Sequence, residues 1–379
     1  MIYDVAIVGG GVAGAATAVG FTVGGPSVVL FERRDLARDP NRGDVIHPHA
    51  RGVLASWGAL EALHERGAFD ARRLMLTDAT GLLRARFRTF RRPALMLNHA
   101  EIELGLLGVA ASRGALVRDE AVRAVRREAG EWTIETGNGP PTRARFLVGA
   151  DGAGSLVRRA ADIEVSRSEY RHVIVVLHAD RPGWLRPDAL WLSMHPAGPF
   201  LFSPTTPAGR CRVITVVPVK EATRWKSAAE PELRRWLAER NPRWCADLNV
   251  QRRGGSHVYH PVRQHARRYV SEGLALVGDA AHTTHPFGGQ GMNLAIADAA
   301  ALTASVGPVL VARGSRSAVA AALTRYERRR RPQNALALGR ADLGARLGPP
   351  GLVPYLAWSA LLAFVTPLPV IPWRMAFPL

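Results

Sequence analysis

Residues 274–300 read LALVGDAAHTTHPFGGQGMNLAIADAA. Leu274 to Val277 is a short apolar run of strand character. Gly278 and Asp279 follow, then two alanines and His282, then a loop with Pro286, Gly288, Gly289 and Gly291. From Met292 the apolar spacing turns helical. A helix start offers unpaired N–H groups and partial positive charge, and glycine lets a ligand approach the main chain. Strand, carboxylate, glycine loop and helix in this order suit a polyanion. They also suit a plain crossover turn, so the rest of the chain decides.

The N-terminus supplies a second such unit. An apolar run at residues 2–8 enters GGGVAG at residues 9–14, and a helical stretch follows from Val12 to Thr22. A second strand, Ser27 to Phe31, ends at Glu32 and Arg33. This is the context in which G-x-G-x-x-G carries meaning, with an acidic residue roughly 20 positions on. Gly9 permits the tight turn, Gly11 lets a pyrophosphate sit on the backbone, and Gly14 lets helix and strand pack closely. Val12 and Ala13 open the helix, and Glu32 can accept from a ribose hydroxyl. A third strand, Ala144 to Val148, runs into GADGAGSLVR at residues 149–158, with Asp151 and Gly152 at the turn.

The totals narrow the class. A chain of 379 residues with 47% apolar content can bury a large core. Two cysteines, Cys211 and Cys245, are too few for a disulfide framework or a zinc site. The net charge of +18 invites nucleic acid, but the arginines are scattered, and the run Arg328–Arg331 reads as a solvated helix end. Nucleic acid is therefore not expected as a partner, whereas anionic cofactors or substrates are. The N-terminus enters a strand with no basic leader, so the cytoplasm is the expected compartment.

Between the motifs, residues 49–64 read as one helix, and strands lie between Leu74 and Phe87. Glu101–Arg113 is a helix closed by Gly114. From about Tyr170 to Val219 apolar runs alternate with Pro/Gly turns, as in antiparallel strands. Glu230–Glu239 is helical, and Ser256–Val262 is a further strand. Helix continues to about Arg331, where Pro332 interrupts or kinks it. The last stretch, residues 351–379, is apolar, and its clean run Leu352–Thr366 is shorter than a membrane span needs. The expected organisation is a nucleotide-binding domain in three pieces (1–75, 99–165 and 266–335), substrate-side strands (76–98), a substrate-binding sheet (166–265) and an apolar helical end (336–379).

GGGVAG, GADGAGSLVR and GDAAHTTHPFGGQGMN, in that order, resemble the single-component FAD monooxygenases, the flavoprotein aromatic hydroxylases related to para-hydroxybenzoate hydroxylase. Tyr326, Glu327 and Arg330-Arg331-Pro332 are similar to that family's helix after the third motif. The resemblance spans essentially the whole chain. It implies a Rossmann-like α/β FAD domain, an inserted antiparallel substrate sheet and a C-terminal helical region. It further implies that Gly9, Gly11 and Gly14 hold the pyrophosphate, Glu32 with Arg33 the adenosine ribose end, and Arg42 another part of FAD. Asp151 and Gly152 would support FAD and NAD(P)H, and Asp279 would bond the ribityl or ribose part of FAD. Pro286 would lie beside the flavin ring near the oxygen site, with Gly288, Gly289, Gly291, Met292 and Asn293 wrapping the ring edge and pyrophosphate. Where relatives often carry an arginine, this chain carries His99; a histidine at a surface helix start is the other reading.

The implied activity uses NAD(P)H and O2 to form a flavin hydroperoxide and hydroxylate or epoxidise an apolar, aromatic, polyketide- or terpenoid-like small molecule. A reductase of the same fold acting on prenyl double bonds is the alternative. A halogenase is disfavoured because the W-x-W-x-I-P stretch is absent from the sequence. For deprotonating a phenol the candidates are His47, His49, His178, His195 and Tyr259, each of which could instead be structural. Trp191, Phe200 and Phe202 line either a substrate pocket or a core. The apolar end either packs on the protein or touches a membrane peripherally. The sequence leaves the oligomeric state open.

Overall fold

The computed structural model describes residues 1–34, 45–82, 84–88, 93–137, 139–251, 257–286, 289–347, 351–365 and 371–372. Its first body is an eight-stranded sheet. The parallel centre runs Leu274–Leu276, Thr142–Gly149, Ile2–Val8, Val28–Glu32 and Leu116–Asp119. Val5–Val8 and Val28–Phe31 are buried throughout, as strands covered on both faces must be. Thr142–Gly149 shares one edge between two neighbours. Its first half pairs antiparallel with Glu131–Thr136, its second half parallel with Leu274–Leu276. Helix Val12–Gly24 packs against both Gln290–Val311 and His99–Ser112, so the first and third motifs are brought side by side.

The second body is a nine-stranded sheet. It is antiparallel apart from two pairs, Arg73–Thr77 with Ala189–His195 and Arg84–Arg88 with Ile371–Pro372. Strand alternation gives it two chemically different faces. The outer face carries Val173, Val175, Leu177, Trp191, Phe200, Phe202 and Val213, buried against Trp225, Trp236 and Trp244 of three short helices. The inner face carries Leu74, Leu76, Leu190, Leu192 and Leu201, gathered with Met96 and with Trp358 of helix Leu352–Val365. Ile174, Val176, Ile214 and Val216 extend that aliphatic face. Each fully buried side chain of this size contributes about 1.5–3 kcal/mol.

Several sequence expectations are corrected. The helix expected over 49–64 is two, Pro48–Ser56 and Leu60–Glu65, because Gly58 adopts φ +65° between them. The strands expected between Tyr170 and Val219 include Gly198–Thr205, whereas the strand expected over 256–262 is instead His257–Tyr259 and Val262–Ala266, with Ser256 outside the described residues. The chain does not break at Pro332. It breaks after Val311, and the next helix, Arg316–Leu347, runs through Pro332. In the run Arg328–Arg331, Arg328 and Arg329 are exposed as expected, but Arg330 is 6% exposed, held by a buried carboxylate described below. Gln290–Val311 is the one described helix long and apolar enough to cross a membrane, and it is packed between Val12–Gly24 and Arg316–Leu347.

Candidate active site

The first glycine turn is held by steric necessity. A Cβ on Gly14 would stand 1.8 Å from the Gly9 carbonyl oxygen, and one on Gly9, at φ +103°, 2.3 Å from that of Ala150. No side chain caps helix Val12–Gly24 at Gly11, so the first-turn N–H groups at Val12 and Ala13 face the turn. Glu32 is 8% exposed and accepts from the N–H groups of Gly10, Arg33 and Arg34 at 2.8 Å each. Burial opposes its charge, but the Arg34 side chain, the Arg34 and Gly10 N–H groups and the Arg34 charge hold its carboxyl below the usual range. Arg34, not the exposed Arg33, is the arginine on this carboxylate.

His99 is 7% exposed, which removes the surface reading; its Nε2 lies 3.3 Å from Glu103 Oε1 in a helix capped by Asn98. Asp151 is occupied within its own motif: it accepts from the Ser155 hydroxyl and the N–H groups of Leu156 and Val157. Arg158 from the same motif reaches the Ala280 carbonyl at 2.9 Å, tying the second motif to the third. Gly152 adopts φ +79°.

In the third motif, Asp279 is exposed on a turn whose other members, Gly278 and Ala280, are buried. Gly289, at φ +63°, opens helix Gln290–Val311 without a side-chain cap, and its N–H bonds the Pro286 carbonyl. Asn293 clamps the loop to its neighbours: it accepts from the His47 N–H at 2.7 Å and donates to the carbonyls of Val45 and Gly289. Gly291 and Met292 are half-buried on the first turn. His47 is 2% exposed with Nε2 toward Gly289, and burial pushes its pKa down to about 4. Arg42 and Gly288 lie outside the described residues.

Beneath this loop sits a group the sequence reading did not single out. Asp298 is fully buried and accepts from the Gly278 N–H (3.1 Å), His282 Nε2 (2.6 Å), Arg330 Nε (2.7 Å) and Asn334 Nδ2 (2.9 Å). Burial works against its charge; His282, Arg330 and Asn334 outweigh it and hold the carboxyl far below the usual range. Tyr326 adds a bond to the Leu276 carbonyl at 2.7 Å, and Glu327 accepts from the Tyr269 N–H. The helix resembling the family's thus anchors the third motif from behind.

Of the other candidates, His178 and Tyr259 lie on the inner face of the large sheet, Tyr259 opposite Ile174. His195, Trp191, Phe200 and Phe202 lie on the outer face. The pocket reading for those three aromatics is therefore replaced by core packing: the Trp191 ring lies tilted against Trp244, centroids 4.8 Å apart. A cavity of about 390 Å³ bounded by His195, Glu221, Arg224 and Arg240 belongs to that outer side too. His49 is exposed.

The arrangement fits FAD. Two uncapped helix starts meet beside a glycine cradle. Glu103, whose carboxylate lies by Gly11, leaves Oε2 buried without a hydrogen-bond partner among the described residues, as does Gln290 at Oε1 next to Gly289, and a cofactor carrying hydroxyl and N–H donors would satisfy them.

Comparison with known proteins agrees. Residues 2–341 match the family model described as "FAD binding domain", and the chain belongs to that family. The ubiquinone hydroxylase UbiL of Rhodospirillum rubrum is 30% identical over 377 residues, covering 91% of this chain and 82% of its own. The 3-demethoxyubiquinol 3-hydroxylase of Escherichia coli is 29% identical, covering 90% of this chain and 88% of its own. Among solved structures PqsL, a probable FAD-dependent monooxygenase from Pseudomonas aeruginosa, superposes with a TM-score of 0.76 at 25% identity, over 91% of this chain and 96% of its own. The protein is an FAD-dependent monooxygenase of the aromatic hydroxylase type, with a small molecule and O2 as substrates.

Proposed function

We propose that this enzyme uses NAD(P)H and O2 to hydroxylate the ring of an apolar phenol or hydroquinone bearing a lipid-like substituent. The observation carrying this is the aliphatic inner face: Leu74, Leu76, Leu190, Leu192 and Leu201, with Trp358 laid over it. Such a surface binds by area and offers little to a charged substrate. The names of the two quinone-pathway relatives point the same way.

Reduced FAD, when bound, supplies the activated oxygen atom. Gly9, Gly11, Val12, Ala13 and Gly14 would hold its diphosphate, Glu32 its adenosine ribose and Asp279 its ribityl chain. Gly289, Gly291, Met292 and Asn293 would seat the ring beside Pro286, where the first-turn N–H groups favour negative charge. His47 would reach the same ring from the loop that Asn293 clamps. The nucleotide-binding pieces would be 1–75, 99–165 and 266–335, with the inserted sheet opposite. Helix Leu352–Val365 would close the substrate side with Trp358 and turn Leu352, Val353 and Leu356, 61%, 77% and 54% exposed, toward lipid.

The test is turnover under isotopically labelled O2 over a panel of alkylated phenols. One labelled atom in the product and substrate-accelerated NAD(P)H oxidation are expected. Anaerobic formation of a reduced product would overturn the reading in favour of a reductase.

A further inference from the structure

Where the inner face of the large sheet meets the Pro286 loop lies a pair of histidines that no role above uses. His172 opens strand His172–Asp180 and, by alternation, shares a face with Ile174 and Val176. His285 immediately precedes Pro286. Their Nε2 atoms are 2.8 Å apart, and the side chains are buried, at 7% and 2% exposed. Tyr170 closes the cluster, its ring centroid 4.8 Å from that of His285 and 5.4 Å from that of His172. The Tyr170 hydroxyl donates to Asp342, whose other oxygen lies 2.7 Å from Arg263 Nε in an ion pair.

Burial makes a charge on either ring costly; with His172 adjacent, His285 is pushed down to about 3, and His172 is lowered as well. The pair is neutral at ordinary pH. A neutral imidazole has one N–H and one lone pair. An Nε2–Nε2 hydrogen bond therefore forces opposite tautomers. One ring donates through Nε2 and keeps a bare Nδ1; the other accepts and carries Nδ1–H. Moving the shared proton exchanges the two roles.

We propose that His172 and His285 form a two-ring proton conductor that removes the hydroxyl proton of a phenol lying on the inner face beside Pro286. This rests on the hydroxylase reading above. The substrate O–H bond breaks and its electron pair stays on oxygen. The proton adds to the bare Nδ1 of one ring, the Nε2 proton crosses, and the Nδ1 proton of the second ring leaves to solvent. No net charge remains on the buried pair, and the phenolate ring becomes the better nucleophile toward oxygen. Tyr170, fixed by Asp342, is a positioning residue that keeps the rings in register.

Nitrogen NMR of histidine-labelled wild-type holoenzyme reads the tautomers directly, expecting one Nδ1–H ring and one Nε2–H ring at these positions. The same tautomer in both rings overturns the proposal. Titration with 4-nitrophenol, whose anion is coloured, reads the proton transfer below the pH at which the free phenol ionises. The wild type is expected to raise the ionised fraction roughly tenfold, and His172→Gln and His285→Gln to abolish that rise. Hydroxylation should fall roughly 100-fold in both. No ionisation by the wild type, or undiminished ionisation in both FAD-loaded variants, overturns the proposal. A wild type that ionises the phenol but incorporates no labelled oxygen keeps the pair and removes the hydroxylase reading instead.

Discussion

Two helix starts meet at the proposed FAD site, and they are held by opposite means. The one at Gly11 is held by its own backbone: Gly9, Gly14 and Ala150 approach so closely that only glycine fits at Gly9 and Gly14. The one at Gly289 is held by side chains, by Asn293 of its own first turns in front and by Asp298 with His282, Arg330 and Asn334 behind. A steric device is local and tolerant of its surroundings. An ionic one depends on side chains far away, with Asp298 and Asn334 36 positions apart.

The contrast can be broken most forcefully at Asp298. Asp298→Ala leaves Arg330 buried without its carboxylate and is expected to cost about 3–5 kcal/mol. Chemical denaturation should show this, together with loss of FAD; unchanged stability would mean that the network does not hold the third motif. At the other helix start, Gly14→Ala forces the turn open and should cost about 1–3 kcal/mol, with a large drop in FAD affinity by fluorescence titration. Normal FAD binding in that variant would refute the steric account.

The third expectation concerns pH. His47, beside Gly289, has a folded pKa of about 4 against an ordinary 6.5. The unfolded chain therefore binds the proton first, and stability is full above about pH 6.5 and falls as pH drops toward 4. His47→Gln should flatten that slope by up to about 3 kcal/mol, seen as thermal midpoints across the range; an unaltered slope would assign it to other histidines. The smallest effect is Glu32→Gln. Losing the charged acceptor by Gly10 should weaken FAD by about 1 kcal/mol, roughly fivefold, and an undiminished affinity would take the ribose role from Glu32.

The two devices also differ in how far a sequence reveals them. GGGVAG is legible because a turn's demand for glycine is local. Asp298 is not: one carboxylate inside NLAIADAA reads as a solvent-facing helix position, and its partner Arg330 hides in a basic run that reads as hydrated. The substrate sheet fails for another reason. Strand Arg210–Pro218 is apolar on both faces, so its sequence RCRVITVVP gives no alternation from which to tell inner from outer. Trp191, Phe200 and Phe202 were equally open to pocket or core, and only strand register settles them on the outer face. His172 and His285 are 113 positions apart, a pairing no spacing rule suggests.

Helix Arg316–Leu347 spans 32 residues, about 48 Å. Near its middle Asn334 reaches Asp298, the anchor of the Pro286 loop, and two turns later Asp342 reaches Tyr170 and Arg263 of the sheet side. With FAD and substrate in the proposed places it would work as a ruler between them, with a reading of about 12 Å over those eight residues. Side chains on the inner face could be exchanged to admit a different molecule while the depth at which its ring meets the oxidant stayed the same. A single residue inserted between Asn334 and Asp342 would turn one contact about 100° away from the other, changing that depth without touching either site.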